Sequence, residues 1–142
     1  MHPEIRHLSL TVLEPESCAV RLAALTGGEA RPFKARHVAG AWICLWDAGR
    51  NQLVEFIPCG WIQTPGEDGA LFIAAPAAST GASHLQLALA CDRATLEARA
   101  QALGLELFYR AKFGGPLLEG WLEPGLLVEF LTSDLGMGSL DD

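Results

Sequence analysis

Two histidines and two glutamates are the residues of this chain whose types and spacing suggest chemistry. His7 precedes Glu55 by nearly the same distance as His84 precedes Glu129. Each glutamate lies within the sequence Leu-Val-Glu-Phe, where apolar neighbours on both sides make a lone ionised carboxylate costly to bury. A divalent cation would partner both carboxylates, and neutral imidazoles complete the ligands that such ions accept. The four residues therefore predict a site for one divalent metal ion, such as Ni, Co, Zn, Mn or Fe.

Similar elements surround these residues in both halves of the chain, which indicates an internal repeat. The halves open with His-Leu-Ser-Leu-Thr-Val and His-Leu-Gln-Leu-Ala-Leu, whose alternation predicts strands. A helix follows in each half, one starting at Pro15 and capped by Gly27, the other spanning 93–103 behind the N-cap Asp92. Three further strands are predicted in each half, at 29–38, 40–47 and 51–58, and at 105–112, 116–123 and 126–132.

The repeat predicts how the chain is organised. Residues 1–60 form a first β-α-β-β-β module, 61–81 a linker with a short extra element at 70–74, 82–133 a second module, and 134–142 a flexible tail. On the opening strands, the histidines lie on the face opposite the leucines. We expect the leucines to pack on the helix of their own module. Pseudo-twofold pairing of the modules would then bring the two histidines and the two glutamates together.

Composition excludes several function classes. The formal net charge is -7, from 10 basic and 17 acidic residues, which argues against a nucleic-acid surface. No apolar run reaches the roughly 20 residues that a membrane-spanning helix needs. The N-terminus lacks the pattern of a signal peptide, so we expect a cytoplasmic protein with no membrane partner. The four scattered cysteines are then expected to be reduced thiols in the core.

On these motifs the sequence resembles the vicinal oxygen chelate superfamily. That superfamily includes glyoxalase I, methylmalonyl-CoA epimerase, extradiol dioxygenases, and fosfomycin and bleomycin resistance proteins. The resemblance covers residues 5–132 and implies an α+β fold, in which two βαβββ modules form an eight-stranded, incompletely closed mixed barrel with the helices outside. It implies metal ligands at His7, Glu55, His84 and Glu129. It also implies a homodimer that acts on a small-molecule substrate.

The ligand set that the resemblance implies predicts a glyoxalase-like lyase or isomerase. Two histidines and two glutamates leave an octahedral ion two open positions, which two neighbouring oxygens of a small carbonyl compound can fill. The ion then stabilises the enolate or enediolate formed by proton abstraction. Glu129 or Glu55 would be the base, and the sequence does not rank them. The first helix lacks the Phe-Tyr pair of lactoylglutathione lyases, so the substrate stays open.

Two other functions remain as alternatives. One is a metal-free binding protein of the antibiotic-resistance kind, which keeps the fold without the ligands. The other is an iron-dependent extradiol dioxygenase, which uses two histidines and one glutamate and would leave Glu55 surplus. Predicted substrate-binding residues are Trp46, Trp121 and Tyr109. Further candidates for the pocket are Trp42, Arg36 and His37.

Overall fold

The two predicted modules are each built as a four-stranded mixed sheet with one helix, and the chain divides into two units between Gly81 and Ala82. The computed structural model describes residues 7–34, 38–64, 71–76, 83–111, 116–123 and 126–135, with the backbone alone at 63, 64, 71, 83 and 84. The predicted candidates Arg36 and His37 lie outside these residues.

The first unit contains β1 (His7–Val12), α1 (Pro15–Thr26), β2 (Glu29–Pro32), β3 (Trp42–Asp47), β4 (Gln52–Pro58), β5 (Trp61–Thr64) and β6 (Leu71–Ala74). The second unit contains β7 (Ser83–Ala88), α2 (Arg93–Ala102), β8 (Leu107–Arg110), β9 (Leu117–Glu123) and β10 (Leu126–Leu131). The sheet orders are β1-β4-β3-β2 and β7-β10-β9-β8. The opening strand of each module is therefore parallel to the closing strand, and the other pairs are antiparallel.

Both helices begin as the sequence predicts. Pro15 lies in the first turn of α1, and Gly27 ends it with φ 79°, a left-handed conformation that costs glycine little. The N–H of Gly27 donates to the carbonyl of Ala23 at 2.8 Å. Asp92 caps α2, because its carboxylate accepts a hydrogen bond from the Thr95 N–H at 2.9 Å. Neither of these two helices in the described ranges is long and apolar enough to cross a membrane.

One face of each sheet packs against apolar residues of its own unit. In the first unit, Phe56 and Val54 of β4 are buried, as are Cys18 and Leu22 of α1. In the second unit the buried residues include Leu85, Leu96, Ala100, Leu118, Leu122, Val128 and Phe130. Because side chains alternate along a strand, the residues between them face the other side of each sheet. That other side carries His7, Glu55 and Glu129.

The second strand is shorter than predicted. The sequence predicts a strand over 29–38, but β2 ends at Pro32, which has no N–H to donate to a ladder. The N–H of Phe33 instead donates to the carbonyl of Ala41 at 2.8 Å. Phe33 and Val38 then pack in a small cluster with Ala41 and Ile57. Burial of these side chains, rather than strand pairing, explains the apolar character of the segment.

The segment predicted as a linker contains a hairpin. Its strands β5 and β6 pair in antiparallel register, and the N–H of Ala75 donates to the carbonyl of Gly60 at 2.7 Å. Trp61 and Phe72 pack against the buried cluster of Val38, Ala41 and Ile57, which includes a residue of β4. The hairpin is thereby fixed to the first sheet by its aromatic side chains.

The four cysteines are free thiols, and they differ in access to solvent. Cys18 and Cys44 are buried, whereas Cys59 and Cys91 are partly exposed. Burial raises the pKa of the Cys44 thiol to about 11, although a hydrogen bond with Thr26 opposes the shift. Thiolate is the reactive form, so Cys44 has little of it near neutral pH.

We therefore expect two fast and two slow thiols in the folded protein. Cys59 and Cys91 should react with a disulfide reagent such as DTNB, while Cys18 and Cys44 should react only after unfolding. Counting released thiolate with and without urea measures this difference. A single rate for all four thiols in the folded state would contradict the burial of Cys18 and Cys44.

Candidate functional site

In the first module, one hydrogen bond joins the opening and closing strands beside the predicted ligands. The parallel register pairs Ser9 with Glu55 and His7 with Leu53. Paired residues share a face, so His7, Ser9 and Glu55 all lie on the side away from α1. The Ser9 hydroxyl donates to the Glu55 carboxylate. Glu55 is half-buried and His7 is exposed, which leaves both accessible to a ligand.

The second module repeats this arrangement. Gln86 pairs with Glu129 in the parallel register, and its amide donates to the Glu129 carboxylate at 3.1 Å. The backbone of His84 pairs with Leu127, the residue two positions before Glu129. His7 and Glu55 have the same relation in the first module. The repeat therefore extends to the hydrogen-bond partner of each glutamate.

A third carboxylate lies on the Glu129 face, at a position that the repeat does not predict. Glu119 of β9 is directly opposite Glu129 in the antiparallel register. The Nε of Arg110 is 2.9 Å from a carboxylate oxygen of Glu119, and the guanidinium of Arg110 lies 5.3 Å from the ring centre of Phe108. Arg110 thus balances the charge of Glu119. In the first module the position matching Glu119 is Ile43, which pairs with Glu55.

Asn51 contacts the imidazole of His7. The Asn51 Nδ2 lies 3.1 Å from the His7 Nδ1. Asn51 has φ 57°, a turn conformation that asparagine tolerates better than most residues. A half-turn of the amide exchanges its oxygen for its nitrogen. With the oxygen toward an Nδ1–H, the other ring nitrogen keeps a lone pair for a metal ion, as outer partners of histidine ligands usually arrange.

The amide of Asn51 should therefore raise metal affinity without touching the metal. We expect Asn51→Gly, which suits the positive φ, to lower divalent-ion affinity by about 10-fold. Asn51→Asp should retain the affinity, because a carboxylate also accepts from Nδ1–H. Calorimetric titration of metal-free protein with Co(II) measures both. Wild-type affinity in Asn51→Gly would show that the contact has no such role.

The structure separates the three predicted substrate-binding aromatics. Trp121 is 46% exposed and pairs with Leu127, so it lies on the same face as Glu129. Tyr109 lies on the helix side of its sheet, where the Arg93 guanidinium is 5.0 Å from its ring centre. The Trp46 indole N–H donates to the Thr26 hydroxyl at the end of α1 at 2.7 Å. Of the three, Trp121 alone lies on a face that carries a predicted ligand.

The fold of the chain recurs in solved structures of distant sequence. No family model matches the sequence, and no curated protein matches it. An integron cassette protein from V. cholerae superposes with a TM-score of 0.63 at 16% identity, over 94% of this chain and 98% of that one. The fosfomycin resistance protein FosX from Listeria monocytogenes, in complex with Mn(II) and sulfate, gives 0.57 at 14% identity, over 99% and 94%. A possible glyoxalase from Bacillus cereus gives 0.56 at 12% identity, over 90% and 97%.

This chain has the vicinal oxygen chelate fold. The α+β class and the two βαβββ modules predicted from the sequence are confirmed. At this level of identity the likeness establishes the fold, and the chemistry must be argued from the residues of this chain.

The nitrogen and oxygen atoms that each module offers are of types that bind divalent metal ions. Each module offers one imidazole position and one carboxylate, and both ligand types suit Zn, Ni, Co, Mn and Fe. Among the described side chains, no group of three or more His, Cys, Asp and Glu could hold a metal. The side chain of His84 lies outside them. Each module contributes one predicted imidazole and one predicted carboxylate to the proposed ligand set.

Sequence reasoning missed the partners of the ligands for a specific reason. Ser9 and Gln86 follow their histidines by two positions, so strand alternation places them on the same face. Alternation within one strand does not reveal the parallel register that sets them opposite Glu55 and Glu129. Aligning His-x-Ser with Leu-x-Glu as parallel neighbours would have found them. Glu119 carries no comparable signal, because its counterpart in the other module is apolar.

Proposed function

We propose that the chain is a divalent-metal-dependent lyase or isomerase that acts on a small carbonyl compound. The observation that supports it most is a strand register that occurs in both modules. In each module the backbone of the histidine pairs with the residue two positions before the glutamate. A structural ion pair would not require this arrangement twice. The proposal needs the His–Glu pair of each module to meet its counterpart, within one chain or between two copies.

The proposed ligands are His7, Glu55, His84 and Glu129. The bound ion would supply Lewis-acid stabilisation of the negative charge that develops on a carbonyl oxygen. The residues of the chain would do the proton transfer. One glutamate oxygen takes the proton from the carbon beside the carbonyl, and the electron pair of that C–H bond moves toward the carbonyl. The same carboxyl then returns the proton to the former carbonyl carbon, while the proton of a hydroxyl on the first carbon passes to the former carbonyl oxygen, so that the carbonyl and hydroxyl positions are exchanged.

The hydrogen bonds of Glu55 and Glu129 support this role. Ser9 and Gln86 each donate to one carboxylate from the adjacent strand, which fixes its orientation. A positioned base transfers protons in a fixed geometry and contributes about 10²–10⁴-fold to a rate. Both glutamates are half-buried and so remain reachable by a substrate. We retain both as candidate bases.

Proton exchange tests the reaction class without a known substrate. Metal-loaded protein in D₂O should introduce deuterium beside the carbonyl of some member of a panel of 2-hydroxyketones and 2-oxoaldehyde–thiol adducts. The exchange should stop when a chelator removes the ion and resume when Mn(II), Co(II), Ni(II) or Zn(II) is restored. Iron content with oxygen uptake on a catechol would instead support a dioxygenase. Absence of any metal-dependent exchange across the panel would overturn the proposal.

A cleft bordered on one side by Trp61, Ile62 and Phe72 favours a second candidate, a metal-free protein that binds small molecules. This candidate predicts ligand binding that is equal with and without divalent ions. In either case we propose a homodimer, which sedimentation analysis tests directly.

A further inference from the structure

A cleft lies beside Glu55 in the first module. It is lined by Ser9 and Thr11 of β1, Ile57 of β4, Trp61 and Ile62 of β5, and Phe72 of β6. Its volume is about 270 Å³. We call it the hairpin cleft, because the hairpin of β5 and β6 supplies half of the lining residues.

The hairpin cleft and the candidate metal site have Ser9 of β1 in common. Ser9 lines the cleft and also donates its hydroxyl hydrogen to Glu55. Thr11 and Ile57 pair in the parallel register, on the same face as Ser9 and Glu55. A molecule that reaches Glu55 with one end can therefore extend along β1 into the cleft with its other end.

The lining of the cleft is chemically divided. The hydroxyls of Ser9 and Thr11 lie on the strand that begins at His7, whereas the hairpin contributes Trp61, Phe72 and Ile62. Both aromatic residues pack against the buried cluster that contains Ile57, which holds them in place. Ile62 is 45% exposed, although it borders the cleft. Apolar surface that stays partly exposed in the free protein gains free energy when a ligand covers it.

The size of the cleft limits its occupant. An apolar cavity of roughly 150 Å³ accommodates a benzene ring in another protein. The hairpin cleft is larger, so an aromatic ring or a branched aliphatic group fits with room for a linking carbon. A highly charged group would lose hydration against Trp61 and Phe72 and find no matching charge among the six described residues that line the cleft.

We propose that the hairpin cleft binds an aromatic or branched aliphatic substituent of the substrate, whose oxygen-bearing end reaches Glu55. This inference rests on the proposed function, because the proposed function identifies the oxygen-bearing end of the substrate as a carbonyl group. It assigns the substrate to carbonyl compounds with a sizeable apolar substituent, rather than to the smallest hydroxyketones.

Two hydroxamates test the inference on Mn(II)-loaded protein. Each offers two neighbouring oxygens to a metal, but acetohydroxamate carries a methyl group and benzohydroxamate a phenyl group. Calorimetry should show benzohydroxamate binding at least about tenfold tighter, because the ring is removed from water. Equal affinity would refute the cleft as a substituent site while leaving the metal site standing.

Ile62→Ser and Ile73→Ser form a matched pair of variants. The two isoleucines are cross-strand partners in the hairpin and are 45% and 43% exposed, but only Ile62 lines the cleft. Ile62→Ser should reduce the preference for benzohydroxamate to about threefold or less. Ile73→Ser should keep it. Equal losses in both variants would attribute the effect to the hairpin as a whole and overturn the inference.

Metal-free protein separates failure of the cleft from failure of the metal site. Benzyl alcohol should shift the backbone amide resonances of Thr11, Ile62 and Phe72 in wild-type protein and in Ile73→Ser, and shift them less in Ile62→Ser. If these shifts occur but neither hydroxamate binds the Mn(II)-treated protein, the cleft survives and the proposed enzyme does not. Absence of the shifts would refute the cleft whatever the hydroxamates do.

Discussion

Glu129→Gln is expected to lower divalent-metal affinity by at least about 100-fold and to abolish turnover. The amide keeps the shape of the side chain but loses the charge that a hard or borderline cation requires. It also cannot take a proton, and a lost general base costs about 10²–10⁴-fold in rate. The fold should persist because Glu129 is only half-buried and Gln86 can still donate to an amide oxygen. Calorimetric metal titration and thermal melting measure affinity and stability separately.

Glu119→Gln is the matched control for that experiment. Glu119 is directly opposite Glu129 on the same face, and its carboxylate is already paired with Arg110 at 2.9 Å. Its removal should change metal affinity by less than about threefold, since an exposed ion pair contributes little. Wild-type metal content in Glu129→Gln would refute Glu129 as a ligand. Equal loss in both variants would point to the general charge of this face.

Phe130→Ala is expected to reduce the free energy of unfolding by about 3–5 kcal/mol. Phe130 follows Glu129 directly, so it points to the other side of the sheet, where it is fully buried. Removing a buried phenylalanine side chain loses its transfer free energy and leaves a cavity. Phe56 follows Glu55 in the same way and is also fully buried, so Phe56→Ala should cost a similar amount. Urea denaturation gives both values.

Trp121→Ala tests whether the stability loss expected for Phe130→Ala comes from the burial of the side chain or only from the size of its aromatic ring. Trp121 lies in the neighbouring strand but is 46% exposed on the Glu129 face. Its replacement should cost less than about 1 kcal/mol of stability, because surface changes are usually small. A loss as large as that of Phe130→Ala would mean that the Glu129 face carries the core, contrary to the exposure of Trp121.

The duplicated motifs allowed the modules to be predicted because they combine strand alternation with a repeated order of elements. His7 and Glu55 occupy the same positions in the first module as His84 and Glu129 occupy in the second. The order of strands in the sheet is also the same in both modules. The caps were equally accessible, since Pro15, Gly27 and Asp92 act through local backbone geometry. Such local signals do not depend on the rest of the fold.

Features that depend on distant residues were not predictable in the same way. Trp46 occupies a strand whose alternation does not reveal which side carries the helix, and the contact with Thr26 decides it. The hairpin of β5 and β6 depends on the packing of Trp61 and Phe72 against a buried cluster that contains Ile57, and this cluster lies outside the hairpin. The partners of the glutamates follow from the sequence once the opening and closing strands of a module are aligned as parallel neighbours, whereas the cleft depends on packing between separate elements.

Metal content after chelator-free purification tests the central claim most directly. Elemental analysis should find about one divalent ion per chain in wild-type protein, and this ion should be lost in Glu129→Gln but retained in Glu119→Gln. Wild-type protein that binds no divalent ion, and whose melting temperature is unchanged by Mn(II), Co(II), Ni(II) or Zn(II), would contradict a metal centre formed by the two histidines and two glutamates.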